Sequence, residues 1–189
     1  MATAAEHLAG DQFTYADLRA MPDDRLRREI IDGQLLETPS PVTRHQQAVG
    51  RVFNALMNAA PATFEVMPAP WDWIISDTTV VEPDVVVVAV GDTAGDFLTR
   101  APRLVVEVLS RSTRTTDLHN KKALYERQGV PCYWVVDPKG DGESPVITVF
   151  ELVEGAFTLR GHHEGDDPWI AGRPVRVEII PSRLAGPRG

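Results

Sequence analysis

The chain has 189 residues, 43% of them hydrophobic, and a formal net charge of -8. That length suits one domain with a sizeable core, and the acidic balance counts against a broad basic surface of the kind that grips nucleic acid non-specifically. The single cysteine, Cys132, excludes an intrachain disulfide and any multi-cysteine metal cluster.

Residues 1–12 read as a flexible leader that lacks the basic region and apolar core of a secretory signal. The longest apolar run falls far short of a membrane span, so a cytoplasmic protein with no membrane partner is expected. One domain is expected over 13–181, with a tail over 182–189 that reads as disordered. Thr14 offers a cap for a short helix that Pro22 ends, with Tyr15, Leu18 and Met21 as its docking stripe. Basic residues at Arg25 to Arg28 lead into Glu29-Ile30-Ile31, and Asp32-Gly33 is a two-residue hairpin turn into Gln34-Leu35-Leu36. Glu29 reads either as a surface strand residue or as an acid turned toward a site.

Thr43 with Gln46 forms a capping-box pattern after Pro39-Ser40-Pro41 and opens the longest helix. Its apolar stripe, Val49, Val52, Phe53, Leu56, Met57 and Ala60, is spaced for packing on a sheet. His45 falls in the first turn, where a histidine ordinarily caps or faces solvent. Phe64 to Met67 and Trp71 to Ile75 are strand-like.

Two apolar strands come next, each broken by one acid: Val81 to Val90 with Asp84, and Arg103 to Leu109 with Glu107. β-Branched runs without polar alternation are strands covered on both faces, where an unpaired carboxylate is expensive. A shared divalent cation is one reason for two such acids. The other reading places Asp84 beyond the strand end and pairs Glu107 with an arginine. Asp117 to Gln128 reads as a helix capped by Asp117 and closed by Gly129, with Leu118, Lys121, Lys122 and Tyr125 sharing a face. From Arg100 to Arg127 there are seven basic residues against three acids, a local positive rim on an anionic molecule.

Tyr133 to Val136 is a third strand, and strand, helix and strand in this order make a right-handed crossover between parallel strands. Cys132 reads as a buried structural thiol. Val146 to Leu152 and Ala156 to Leu159 form a hairpin about Glu154-Gly155. His162 to Asp167 has the composition of a metal site but reads as an exposed loop, and Val175 to Ile180 as a last edge strand.

Glu82-Pro83-Asp84, Glu107 to Thr113, Asp117 with Lys121 and Tyr125, and Gly129 to Pro138 together resemble a bacterial family of restriction-endonuclease-like proteins, the Uma group of the PD-(D/E)xK nuclease superfamily. Glu29 to Gly33 is similar to the family's opening hairpin, and Pro39-Ser40-Pro41 with His45 to the start of its first long helix. The resemblance covers Phe13 to Leu152. It implies an α/β (α+β) fold with a restriction-endonuclease-like mixed central β-sheet flanked by helices, an N-terminal hairpin and a C-terminal hairpin extension.

Carried over by position, the resemblance implies Asp84 and Glu107 as metal ligands and Lys121 as the catalytic lysine. Glu29, His45 and Lys122 are auxiliary candidates. The superfamily's usual lysine, two residues past the second acid, is here Leu109, so Lys122 competes with Lys121 for the role. Arg111 and Arg114 are candidates for contact with substrate phosphates. The expected function is Mg²⁺- or Mn²⁺-dependent hydrolysis of phosphodiester bonds in nucleic acid, DNA first, by a protein that is a candidate homodimer. The alternative is a catalytically silent scaffold of the same fold that acts as a dimeric binding protein.

Overall fold

The structure is a computed structural model that describes residues 12–24, 26–39, 41–110, 116–139 and 143–186. Helix α1 (Tyr15–Ala20) opens on a reciprocal capping box: the Asp17 amide donates to Thr14 Oγ1 at 3.3 Å and the Thr14 amide to Asp17 Oδ2 at 2.8 Å. Strands β1 (Arg27–Ile31) and β2 (Gln34–Thr38) form the expected hairpin. Asp32 and Gly33 at its turn have φ of 50° and 81°, the twist that a two-residue hairpin connection needs.

Helix α2 (Thr43–Ala59) is capped by Val42 without a side-chain hydrogen bond, so the capping box expected of Thr43 and Gln46 does not form. Thr43 is already helical, and the Gln46 amide bonds the Val42 carbonyl at 3.2 Å. The buried face of α2 is His45, Ala48, Val49, Val52 and Leu56, while Met57 is 48% exposed. Met57 lies one position, about 100° of helix, off the Val52–Leu56 stripe.

The remaining strands are β3 (Phe64–Pro68), β4 (Trp73–Ser76), β5 (Thr79–Val81), β6 (Val85–Ala89), β7 (Leu104–Val108), β8 (Cys132–Asp137), β9 (Val146–Val153), β10 (Ala156–Glu164), β11 (Trp169–Ala171) and β12 (Val177–Ile179). They make a mixed six-stranded sheet in the order β10-β9-β8-β7-β6-β3, a four-stranded sheet in the order β2-β1-β5-β4, and the pair β11-β12. Among the described residues only β7 and β8 run parallel in the large sheet, with Glu107 opposite Val135. A π-helical turn, Thr116–Lys121, and helix α3 (Lys122–Arg127) connect them, where one continuous helix over 117–128 was expected. The Asp117 side chain lies outside the described residues. Gly129, with φ of 73°, ends α3: its amide and that of Val130 bond the Glu126 and Tyr125 carbonyls, each at 3.0 Å.

The expected strand over Val81–Val90 is two strands in two sheets. Pro83 has no amide hydrogen for a ladder, and the chain changes sheets across Glu82-Pro83-Asp84. Strand β6 itself is buried on both faces, as its unbroken valines require. On one side Val85, Val87, Leu104, Val106, Val108 and Trp134 pack with α2 and β12; on the other Val86, Val88, Val105, Tyr133 and Val135 pack with Trp73, Leu124 and Tyr125.

Strand β10 runs on to Glu164, so His162 and His163 are strand residues rather than loop: His162 Nδ1 is 3.0 Å from Thr148 Oγ1, and the His163 ring stacks on Trp169. The expected edge strand is β12, which pairs with β11 and not with the large sheet. From Ser182 to Gly186 the chain does not trail away: Pro181–Leu184 is a 3-10 turn, Leu184 and Ala185 are buried, and Arg51 donates to the Arg183 and Gly186 carbonyls at 2.7 Å each.

Gly129 fixes the end of the helix that follows Lys121, and its Cβ position is open, so backbone strain alone opposes a side chain there. Gly129→Ala is expected to lower unfolding free energy by about 1 kcal/mol in chemical denaturation. An unchanged value would show that the left-handed conformation is not retained in solution.

Candidate functional site

The site forms where the two sheets meet. Asp84 stands at the start of β6, immediately after the chain leaves the small sheet, and Glu107 projects from β7 on the side that α3 covers. The Val108 amide, next to Glu107, donates to Asp84 Oδ2 at 2.7 Å, which brings the two acids to adjacent backbone. Glu29 comes from β1, where period-two alternation turns it and Arg27 to one face and Arg28 to the other. Arg28 accordingly pairs outward, with Asp24 at 2.6 Å and Glu37 at 2.8 Å.

Lys121 ends the π-helical turn and is 2% exposed. Its Nζ lies 2.9 Å from Glu29 Oε1 and 3.1 Å from Glu107 Oε1. Tyr125, one turn on, donates its hydroxyl to Glu107 Oε1 at 2.6 Å. The Tyr125 ring stacks on Trp73 and meets Tyr133 edge-on, with centroids 6.0 Å and 5.4 Å apart, so aromatic packing holds that hydroxyl in place. Arg27 reaches the same place from β1: Nη1 is 2.8 Å from Asp84 Oδ1, Nε 3.2 Å from Glu82 Oε1, and Nη2 3.5 Å from Glu29 Oε1. His45 Nε2 is 3.4 Å from Asp84 Oδ2.

Three buried carboxylates, Glu29, Asp84 and Glu107, thus face two basic side chains, Arg27 and Lys121. Burial works to raise Asp84, but the His45 contact and then Arg27 outweigh it and hold the carboxyl well below the usual carboxylate range. Glu29 is likewise lowered against its burial, first by Lys121 and then by Arg27. Arg27 is pushed well above the usual arginine value, because Glu29, Asp84, Glu107 and Glu82 overcome its desolvation. Glu82 has the opposite fate: burial lifts it to about 7 despite Arg27. Burial, then the Glu107 charge, pushes Tyr125 far above an ordinary phenol, so it remains a donor.

Of the residues singled out in the sequence, Asp84, Glu107, Lys121, Glu29 and His45 converge. Glu29 and His45 are both buried, which decides against their surface readings. Lys122 does not join them: its Nζ lies over the Phe150 and Phe157 rings, 5.0 Å and 5.7 Å from their centroids. Arg111 and Arg114 lie outside the described residues. Cys132 is buried as expected, its thiol pushed to about 11 by burial. Sequence reasoning missed Arg27 and Glu82. The alternation Arg27-Arg28-Glu29 carried the signal for Arg27, since it puts one arginine beside the inward acid.

The donors suit an oxygen-seeking divalent cation. Asp84 and Glu107 offer hard carboxylate oxygens from adjacent backbone, and the three buried acids outnumber the two basic side chains, Arg27 and Lys121, that meet them. Among the described residues, however, no three acid, histidine or cysteine side chains stand together as a ready cluster for a metal ion.

Glu82 keeps its proton more firmly folded than unfolded. Its contribution to stability is therefore complete below the ordinary glutamate value of 4.5 and is lost as pH rises toward 7. Asp84 and Glu29 are lowered, so their contribution holds at neutral pH and is lost as pH falls below the usual carboxylate range. Melting temperature is expected to peak at mildly acid pH, and Glu82→Gln to flatten the decline from about pH 5 to 8. An equally steep decline in that variant would rule Glu82 out as its source.

Comparison with curated proteins gives no match. Among solved structures, the chain is similar to the crystal structure of a putative nuclease belonging to DUF820 from Anabaena variabilis. The TM-score is 0.67 at 16% identity, with 86% of this chain and 89% of that one covered, a likeness of fold. The family model described as Uma2, putative restriction endonuclease, matches residues 15–180, which take in both sheets and every side chain of the site just described. The chain belongs to the Uma2 family of putative restriction endonucleases.

Proposed function

We propose that the chain is a metal-dependent nuclease that hydrolyses phosphodiester bonds of nucleic acid, with DNA as the first substrate to test, and with Asp84 and Glu107 as ligands of Mg²⁺ or Mn²⁺. The observation that carries this reading is the meeting of Asp84, Glu107 and Lys121 in one buried cluster from three separate elements. A divalent cation held there supplies a water of lowered pKa and shields the charge that gathers on the phosphate.

The chain's own groups do the positioning. Tyr125 donates to Glu107 and fixes how its carboxylate is turned, while the Val108 amide does the same for Asp84. Lys121, held between Glu29 and Glu107, would orient the attacking water or meet a phosphate oxygen at Glu107. A fixed cation in a site shut off from water stabilises developing negative charge more than it would in bulk. In the hydrolysis itself the water oxygen bonds to phosphorus, the ester bond to the leaving oxygen breaks, and that oxygen takes up a proton.

A second reading is favoured by one observation: Arg27 and Lys121 already neutralise most of the cluster, as they would in a silent, dimeric scaffold that binds a partner. The two readings part in an assay of plasmid and oligonucleotide cleavage with Mn²⁺. Asp84→Asn and Glu107→Gln are expected to lower cleavage about a thousandfold with circular dichroism unchanged, and Lys121→Met about a hundredfold. Wild-type cleavage that survives either acid substitution would sink the assignment. A wild type that cleaves nothing, but binds a protein partner without salt dependence, would establish the scaffold.

A further inference from the structure

We propose that Arg27 is a resident counter-ion that holds the place of the divalent cation at Asp84 and must leave Asp84 Oδ1 for that cation to bind. The inference rests on the reading of Asp84 and Glu107 as metal ligands. Both oxygens of Asp84 are engaged: Oδ1 by Arg27 Nη1 at 2.8 Å, Oδ2 by the Val108 amide at 2.7 Å and His45 Nε2 at 3.4 Å. A cation that takes Oδ1 as a ligand takes it from Arg27.

The guanidinium is poorly matched where it lies. Its Nε and Nη2 are buried beside Glu82 and Glu29 but have no hydrogen-bond partner of good geometry among the described residues. A guanidinium binds most strongly through paired, in-plane N–H donors, and here only Nη1 is well directed, so one aligned hydrogen bond holds it at Asp84. The side chain is 19% exposed, whereas Lys121 is 2% exposed and tied to two acids. Of the two cations, Arg27 is the one that can withdraw. A divalent ion brings to the same oxygens twice the charge of Na⁺ or K⁺, so the contact favours Mg²⁺ or Mn²⁺ over them. Once displaced, the guanidinium remains beside the site with unfilled donors, a group suited to a phosphate oxygen.

The test is a calorimetric titration with Mn²⁺ alone of the wild type, Arg27→Met, Arg28→Met and the Asp84→Asn, Glu107→Gln double variant. Arg28 is the control for charge, since it leaves the same strand on the opposite face. Arg27→Met is expected to bind Mn²⁺ at least about tenfold more tightly than wild type, and Arg28→Met to match wild type. Arg27→Met that binds no more tightly than wild type, while the double variant has lost binding, would overturn the competition and leave the metal site standing. Equal tightening in both arginine variants would reduce the effect to net charge and overturn it too. No binding in any folded protein would overturn the metal site and this inference together. Should Arg27→Met fail to fold, Arg27→Gln, which keeps a donor toward Asp84, carries the same comparison.

Discussion

Two cations, Arg27 and Lys121, keep three carboxylates together beneath the surface where the large and small sheets meet, and most of what is distinctive in this fold converges on that contact. Glu29 belongs to the small sheet, Glu107 to the large one, Asp84 to the first position after the chain passes between them, and Lys121 to the turn that leads into α3. The network therefore ties together segments far apart in sequence. Buried ion pairs of this kind add little net stability, because desolvation offsets attraction, yet losing one partner strands the other and costs about 3–5 kcal/mol. A cluster that an apolar core would replace at no loss is retained most simply for its chemistry.

The backbone around the cluster follows from the same constraint. Strand β6 is a run of valines that wants cover on both faces, and an acid inside it would have no partner. Asp84 escapes because Pro83 ends the ladder just before it, where Arg27 of β1 and the Val108 amide both reach it. On the other side, the packed, buried rings of Trp73, Tyr125 and Tyr133 fix the hydroxyl bonded to Glu107. Burial raises both Glu82 and Asp84; at Asp84 the His45 contact, Arg27 and Lys121 outweigh it, whereas at Glu82 the neighbouring acids Glu29, Asp72 and Asp84 offset Arg27.

Much of this was legible in the residues. Valine runs without polar alternation marked β6, β7 and β8, Asp32-Gly33 marked the hairpin, and two acids in apolar strands marked the site before any geometry was known. The family resemblance ordered them and pointed to Lys121. What escaped was whatever depends on which sheet a strand joins. The Val81–Val90 run looked continuous because periodicity reports burial and not partnership, so the passage at Pro83 was invisible, and with it the reach of Arg27 across 57 positions to Asp84. Thr43 failed as a cap for a local reason: the helix begins one residue earlier than its hydroxyl needs. The segment from Ser182 was read as disordered; as far as Gly186 it is held by α2, a contact that composition does not show.

That segment ties the chain's end to its centre. Arg51 holds two carbonyls there and Gln47 accepts from the Gly186 amide, both from the helix whose first turn presents His45 to Asp84. A fusion partner or affinity handle joined before Gly186 would remove that hold on α2, and Gln47 stands only two residues from His45 on the same helix. Handles belong beyond that glycine, where the helix keeps its clasp.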